Sequence, residues 1–309
     1  MSVVIPTYNR ADLVCEAVAS ALAQDWDPLE VIVVDDASSD DTVERLQALS
    51  EDDSRLRLIA RERNGGESAA RNQGILAATQ DYVALLDSDN SFMPQKLSRQ
   101  MPSLLAGPAE AVSFSAYVLL QDGAESSVVI DRWESGSEAA VEALLMACVV
   151  NTSTFVAPRA VLADQGLFRT DLVCCQDHDL WLRLAALGHD FVYEPEPLTL
   201  YRVHSGSVSS DAGRVAKYEE LVVGDFLARP DLPPRVAQRV ARWRARWALA
   251  GAVRFLDAGM PGSALRALGR AALADPRSVR PGWLLLGMRA LRDFARSCRR
   301  TDATAGSRA

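Results

Sequence analysis

Two aspartates at positions 87 and 89 close the run YVALLDSDN (residues 82–90), in which an apolar segment of strand character leads straight into acid. If strand geometry continued through them, both side chains would point to the same side, where like charges repel. The pattern predicts either a cation held between the two carboxylates or a polar turn in which Asp, Ser and Asn bond their own backbone. A second acidic pair, Asp35 and Asp36, follows the run VIVV (31–34). Ser39 and Asp40 just beyond are helix-capping residues, but Asp35 and Asp36 precede the cap position. A carboxylate placed there can accept a hydrogen bond from a nucleobase imino group or a ribose hydroxyl.

The elements that must position these acids alternate along the first third of the chain. Short β-rich runs at 3–6, 31–34, 56–59 and 82–86 are separated by helical stretches at about 11–24, 41–50 and 67–78. That alternation predicts βαβ units and a mainly parallel sheet with helices on both faces, whose ligands gather at the carboxyl ends of the strands. A helix at about 94–105 comes next, followed by strands at 111–120 and 126–130, some of them antiparallel. The run NTSTFVAP (151–158), a helix at 179–188 and the strands FVY and LTLYRVH, ending at His204, complete the pattern. From about Lys217 the chain reads as helical, with breaks at Pro233-Pro234, at 259–262 and at 276–281.

Six segments, IPTYNR (5–10), VVDDASSDDT (33–42), NGGESAARNQGI (64–75), LLDSDN (85–90), QDHDLWLRL (176–184) and YRVHSGSVS (201–209), stand in this order. Together they resemble the successive motifs of family 2 glycosyltransferases of GT-A fold, over about residues 2–210. The resemblance implies a GT-A domain at 1–215, with a nucleotide-binding part at about 1–110 and an acceptor part at about 111–215. A basic helical extension with a disordered tail would occupy 216–309. It implies that Asp36 contacts the base of a sugar nucleotide beside a wall of Pro6, Thr7 and Tyr8, and that Arg71 approaches the diphosphate. Asp87, Ser88 and Asp89 match the DxD motif, whose carboxylates bind Mg2+ or Mn2+ on the diphosphate, Asp89 most directly; hard oxygen ligands suit these ions.

The resemblance further implies that Asp177 is the base that takes the acceptor hydroxyl's proton. The preceding position is often acidic in the family, and Gln176 departs from that, which puts the tuning of Asp177 in question. Asp179 reads as an N-cap or first-turn acid of the helix, His178 as a flanking residue and His189 as a C-terminal cap. The resemblance casts His204 as a residue that closes over the diphosphate or completes the metal shell. An acceptor pocket is expected near Trp133, residues 151–154 and Trp181.

Composition bounds the rest. A chain of 309 residues that is 49% hydrophobic is long enough for a large core and an appendage. It enters a strand pattern at Ser2 with no leader-like segment and has no apolar run of spanning length, so the expectation is a cytoplasmic protein. Five cysteines with no CxxC spacing predict reduced thiols and no zinc site. Net charge is -8, yet residues 235–300 hold fifteen arginines against three acids. Val236, Val240, Trp243 and Trp247 form a stripe beside Arg235, Arg239, Arg242 and Arg246. This segment suits an anionic membrane surface, packing on the acidic body, or a helical hairpin of tetratricopeptide type spaced by Phe255, Gly259, Ala264, Leu268, Ala271 and Pro276. The strongly acidic remainder argues against nucleic acid.

The reading is therefore an inverting, metal-dependent glycosyltransferase. It moves a sugar from a nucleotide donor, UDP by default, to a glycan or lipid-linked acceptor in cell-surface polysaccharide synthesis, with peripheral attachment to the cytoplasmic membrane face as an option. Two alternatives stand beside it. One is a sugar-phosphate nucleotidyltransferase, although PTYNR lacks the glycine-rich, lysine-bearing loop such enzymes use. The other is a non-catalytic glycan-binding module of the same fold.

Overall fold

The computed structural model describes residues 1–130, 133–134, 136–204, 211–276 and 288–289. The chain divides into two compact units, residues 1–207 and 208–309. In the first unit, β1 (Ser2–Thr7), α1 (Ala11–Leu22), β2 (Glu30–Asp35), α2 (Thr42–Asp52), β3 (Leu56–Ala60), α3 (Glu67–Ala77) and β4 (Tyr82–Leu85) follow one another as the periodicity predicts. They are followed by β5 (Ser91–Phe92), α4 (Lys96–Ala106), β6 (Val112–Gln121), β7 (Ala124–Val128) and α5 (Ser137–Leu144). A 3-10 turn (Thr152–Thr154) then leads to β8 (Val156–Pro158), α6 (Arg159–Asp164), α7 (Gln176–Ala186) and β9 (Phe191–Val203).

Among the described residues the strands form one nine-stranded sheet in the order β3-β2-β1-β4-β8-β6-β9-β5, with β7 on the side of β6. The half from β3 to β4 is parallel, and β8 joins it antiparallel to β4. Alternation along β1 decides the two faces. Val3 and Ile5 pack in one core with Val14, Ala17 and Val18 of α1. Val4 points the other way, toward α3, where a Cβ at Gly74 would lie 2.4 Å from Val4 Cγ1. A glycine there lets helix and sheet approach closely.

One expectation shifts: FVY and LTLYRVH are one strand, β9, which lies parallel to β6 with register irregularities near Ser115 and Ala116. In the run NTSTFVAP, Asn151 caps the 3-10 turn by accepting from the Ser153 amide, and β8 then pairs antiparallel with β4 over Tyr82 to Ala84.

The second unit holds α8 (Ala212–Phe226), α9 (Pro234–Ala237), α10 (Val240–Asp257) and α11 (Pro261–Ala274). Helices α10 and α11 form a hairpin. Its turn is closed by Gly259 at φ +69°, with Gly259 N donating to Leu256 O and Met260 N to Phe255 O. These are the two bonds of a glycine-terminated helix end. Ala216 of α8 joins Ala252, Phe255 and Leu256 of α10 and Ala264 and Ala267 of α11 in a common core. The backbone of this segment adopts the helical hairpin named among its readings. Trp243 and Trp247 are buried, and the Arg254 guanidinium lies 5.5 Å from the Trp247 ring, so neither tryptophan is available to enter a membrane surface. Arg254 and Arg270 pair with Glu219 and Glu220 of α8. The tail expected to be disordered lies outside the described residues.

Candidate active site

The strand β4 delivers Asp87 and Asp89, but the chain turns as it arrives. Asn90 N donates to Asp87 O at 3.0 Å, and the Asp87 amide leaves the sheet to donate to Ser153 Oγ at 3.0 Å. The two carboxylates therefore do not share one cation; each takes its own. Asp87 Oδ1 lies 2.8 Å from Arg71 Nη2. Asp89 Oδ2 lies 2.5 Å from Arg10 Nη1 and 3.1 Å from His204 Nε2. The turn removes the strand geometry that would have set the charges side by side.

His204 reaches this point through a long-range pairing. β5 lies antiparallel to β9 with Ser91 opposite Leu200, and Arg202 N donates to Asn90 Oδ1 at 2.9 Å. The carboxyl end of β9 is thereby fastened beside the Asp87–Asn90 turn. Among the described residues no donor reaches Asp89 Oδ1.

Arg71 is buried to 2% exposure, and its guanidinium lies 4.7 Å from the centre of the Phe168 ring. Nη2 also pairs with Glu67 Oε1 at 2.5 Å, one turn earlier on α3. In this arrangement Arg71 is an interior counter-ion beneath Asp87. Burial pushes the Asp87 carboxyl up to about 6, with Arg71 pulling it down and the charges of Glu67 and Asp89 adding to the rise. Glu67 Oε2 accepts from Gln176 Nε2 at 3.0 Å, which ties α3 to the start of α7.

Asp36 is 3% exposed. Its carboxylate accepts from the amides of Gly65 and Gly66, at 3.0 and 2.7 Å, and from Arg61. Gly66 stands at φ +85°, a conformation that favours glycine, and a Cβ at Gly65 would lie 2.7 Å from the Arg61 guanidinium. The amides ahead of α3, an anion-binding feature, are thus held by Asp36 itself. Pro6 and Thr7 are buried in the end of β1, whereas Tyr8 is 47% exposed at its tip. Asp35 Oδ2 accepts from Ser38 N at 2.9 Å, and its Oδ1 is buried with no hydrogen-bond partner among the described residues, as is the adjacent Thr7 Oγ1. Ser88 is buried between the two aspartates.

Helix α7 begins at Gln176, so Asp177 and Asp179 both lie in its first turn. Asp177 is half-buried; Oδ1 accepts from His178 N at 2.8 Å and Oδ2 from Thr152 Oγ1 at 3.1 Å. Asp179 does not cap the helix; it pairs with Arg183 at 2.8 Å and Arg169 at 3.4 Å. His178 is buried, with Nε2 3.0 Å from Leu144 O. His189 follows the Gly188 turn, where its amide bonds Leu184 O and its Nδ1 lies 2.9 Å from Glu110 O. Trp181 and Trp133 both pack against aromatic neighbours. Trp181 is fully buried against Phe155, ring centres 3.8 Å apart, and Trp133 packs edge-on to Phe114 with its Nε1 donating to Phe191 O.

Reading the sequence missed Arg10 and Glu67 as members of the site, and gave Thr152 and Ser153 to an acceptor pocket rather than to the carboxylates they bond. Arg10 closes the segment PTYNR and the others lie inside recognisable motifs, but nothing local says which carboxylate each would meet.

A mixed sheet flanked by helices, with acids gathered beyond the ends of its parallel strands, is the GT-A arrangement of nucleotide-sugar transferases. The fold resembles TarS residues 1–349 of S. aureus in complex with UDP, at a TM-score of 0.68 and 18% identity over 95% of this chain and 88% of that one. It also resembles the mannosyltransferase PcManGT of Pyrobaculum calidifontis in complex with GDP-Man and Mn2+, at a TM-score of 0.65 and 22% identity over 95% and 80%. Residues 2–153 match the model of Glycosyl transferase family 2. The chain is 30% identical over 222 residues, 72% of its length and 82% of the relative, to the UDP-Glc:alpha-D-GlcNAc-diphosphoundecaprenol beta-1,3-glucosyltransferase WfaP of Escherichia coli. It is 30% identical over 293 residues, 90% of its length and 82% of the relative, to the succinoglycan biosynthesis protein ExoO of Rhizobium meliloti (strain 1021). The chain belongs to glycosyltransferase family 2 and is a glycosyltransferase with relatives in polysaccharide biosynthesis, which removes the nucleotidyltransferase and non-catalytic readings.

Among the described residues no group of three or more His, Cys, Asp or Glu side chains forms a metal cage. Mg2+ and its analogues need none, since they bind through one or two carboxylates and the phosphates of the substrate. The open Oδ1 of Asp89, a hard oxygen without a protein donor among the described residues, fits that role. Among the described residues no helix is long and apolar enough to cross a membrane.

Proposed function

We propose that the chain transfers one sugar from a nucleoside-diphosphate donor, a UDP-sugar by preference, to a hydroxyl of a glycan or lipid-linked acceptor, with inversion at the anomeric carbon. The observation that carries this reading is the difference among the carboxylates. Asp87, Asp89 and Glu67 are ion-paired, whereas Asp177 accepts from a hydroxyl and an amide and has no ion-pair partner among the described residues. Asp177 takes the proton of the acceptor hydroxyl as its oxygen bonds to the anomeric carbon, and the bond from that carbon to the diphosphate oxygen breaks. Asp89, with Asp87 and His204 beside it, would hold Mg2+ or Mn2+, which supplies charge neutralisation for the leaving diphosphate. Asp36, Ser88 and the tip formed by Pro6, Thr7 and Tyr8 line the donor side, with Arg71 as counter-ion beneath it.

The names of the relatives and neighbours support the substrate classes: UDP and GDP-Man for the donor, a diphosphoundecaprenol for the acceptor. A lipid-linked acceptor favours work at the cytoplasmic face of a membrane, where the exposed Arg235, Arg239, Arg242 and Arg246 would meet anionic headgroups.

The test is a panel of sugar nucleotides screened by thermal shift with and without Mn2+, followed by transfer assays on two variants. Asp89→Ala loses the metal-dependent part of the donor-induced shift. Asp177→Asn keeps that shift and loses transfer by about 10²- to 10⁴-fold. Native-rate transfer by Asp177→Asn would remove the base assignment.

A further inference from the structure

We infer that two consecutive hydroxyls, those of Thr152 and Ser153, set the spacing between the two reacting sides of the site, Thr152 as the positioning residue of the base. The inference rests on the reading of Asp177 as base. Ser153 Oγ accepts from the Asp87 amide at 3.0 Å and from Asn90 Nδ2 at 2.8 Å, and donates to Asp87 Oδ2 at 3.0 Å. A hydroxyl has one donor and two acceptor positions, so all are used, and every one goes to the aspartate turn. The neighbouring Thr152 Oγ1 donates to Asp177 Oδ2 at 3.1 Å. The donor-side carboxylate and the base are therefore fastened to adjacent residues, one peptide unit apart.

The turn that carries them is built to hold still. Asn151 Oδ1 accepts from Ser153 N at 2.9 Å, and Thr154 Oγ1 donates to Asn151 O at 2.7 Å. From beneath, Lys96 Nζ and Gln100 Nε2 donate to Thr154 O at 3.1 and 3.0 Å, and Thr199 Oγ1 donates to Ser153 O at 3.1 Å. Ser153, Thr154, Lys96, Gln100 and Thr199 are all fully buried. These contacts come from α4 and β9, so elements remote in sequence brace a turn whose two hydroxyls reach the chemistry. Misplacing a reacting group by about 1 Å can cost about 10²-fold in rate, which makes such bracing consequential. The Thr152 hydroxyl holds Asp177 in one orientation while the His178 amide holds its other oxygen.

A purely structural threonine would be replaced by valine with an effect on folding and none specific to turnover. The experiment compares Thr152→Val, Thr152→Ser and Asp177→Asn with the native chain in steady-state transfer and in donor-induced thermal shift. Thr152→Val is expected to lower kcat by about 10- to 100-fold, with donor KM changed by no more than about twofold and the donor-induced shift intact. Thr152→Ser, which keeps the hydroxyl, is expected to restore kcat to within about threefold of the native value. A native kcat in Thr152→Val, an equal loss in both threonine variants, or loss of the donor-induced shift in Thr152→Val overturns the inference. If Asp177→Asn is inactive while Thr152→Val is native, this inference alone falls; if Asp177→Asn transfers sugar at the native rate, the base assignment falls first.

Discussion

Gln176 donates its side-chain amide to Glu67 Oε2 at 3.0 Å, joining the first residue of α7 to the first residue of α3 across 109 positions of sequence. The other oxygen of Glu67 is held by Arg71, so one carboxylate serves both a buried cation and the residue preceding the proposed base. A second carboxylate at position 176 would sit against Glu67.

A charge exchange tests that relationship. Gln176→Glu should lower both thermal stability and donor affinity, because two carboxylates would face each other at hydrogen-bond distance. Glu67→Gln added to it should recover much of the loss, since the new amide at position 67 keeps an oxygen for Arg71 and offers its NH2 to the carboxylate introduced at position 176. Residues in contact couple by about 0.5–3 kcal/mol, and a double-mutant cycle on unfolding free energy reads this directly. Strict additivity would mean that the two side chains do not meet.

Lys96 provides a pH signature of the interior. Burial pushes its ammonium from the ordinary 10.5 down to about 7. Across the window from about 7 to 10.5 the unfolded chain holds a proton that the folded chain has released, so this group makes stability rise with pH. Below that window both states are protonated and the contribution is flat. One such group gives a slope of up to about 1.4 kcal/mol per pH unit. Urea unfolding of the native chain and of Lys96→Met between about pH 7 and 9.5 should differ in slope by roughly that amount. Parallel curves would show that Lys96 stays charged in the fold.

Stereochemistry tests the single displacement. An α-linked donor sugar should give a β-linked product, because attack by an acceptor activated at Asp177 enters from the face opposite the departing diphosphate. NMR of the product formed from a donor of known configuration decides the matter, and an α-linked product would eliminate the mechanism.

Attachment to anionic membranes should be wholly electrostatic, because Trp243 and Trp247 are buried while Arg235, Arg239, Arg242 and Arg246 are exposed. Each arginine near an anionic leaflet contributes about 1 kcal/mol, and the attraction fades as salt shortens the screening length. Flotation with anionic liposomes should recover the native chain at low salt and lose it at high salt. A variant with these four arginines changed to Gln should fail to float under either condition. Equal recovery on neutral and anionic liposomes would dismiss the membrane role.

Features encoded over a few residues are legible in the chain alone. The apolar runs of β1, β2 and β4, the helices between them and the acids at the strand ends are visible because side-chain alternation and helical periodicity are local properties. Asp87, Asp89 and Asp177 could be marked as candidates from their motifs alone. His204 could be marked through its own motif, but the pairing of each carboxylate with its partner could not. Arg10 meets Asp89 across 79 positions, His204 meets it across 115, and Ser153 meets Asp87 across 66. Such contacts depend on strand order and register, which set one element beside another without leaving a mark on either segment. The same limit explains Arg71 and the tryptophans of α10: a periodic stripe says that a face is apolar or charged, and only the packing of the remaining elements decides whether it is covered by protein or left to solvent.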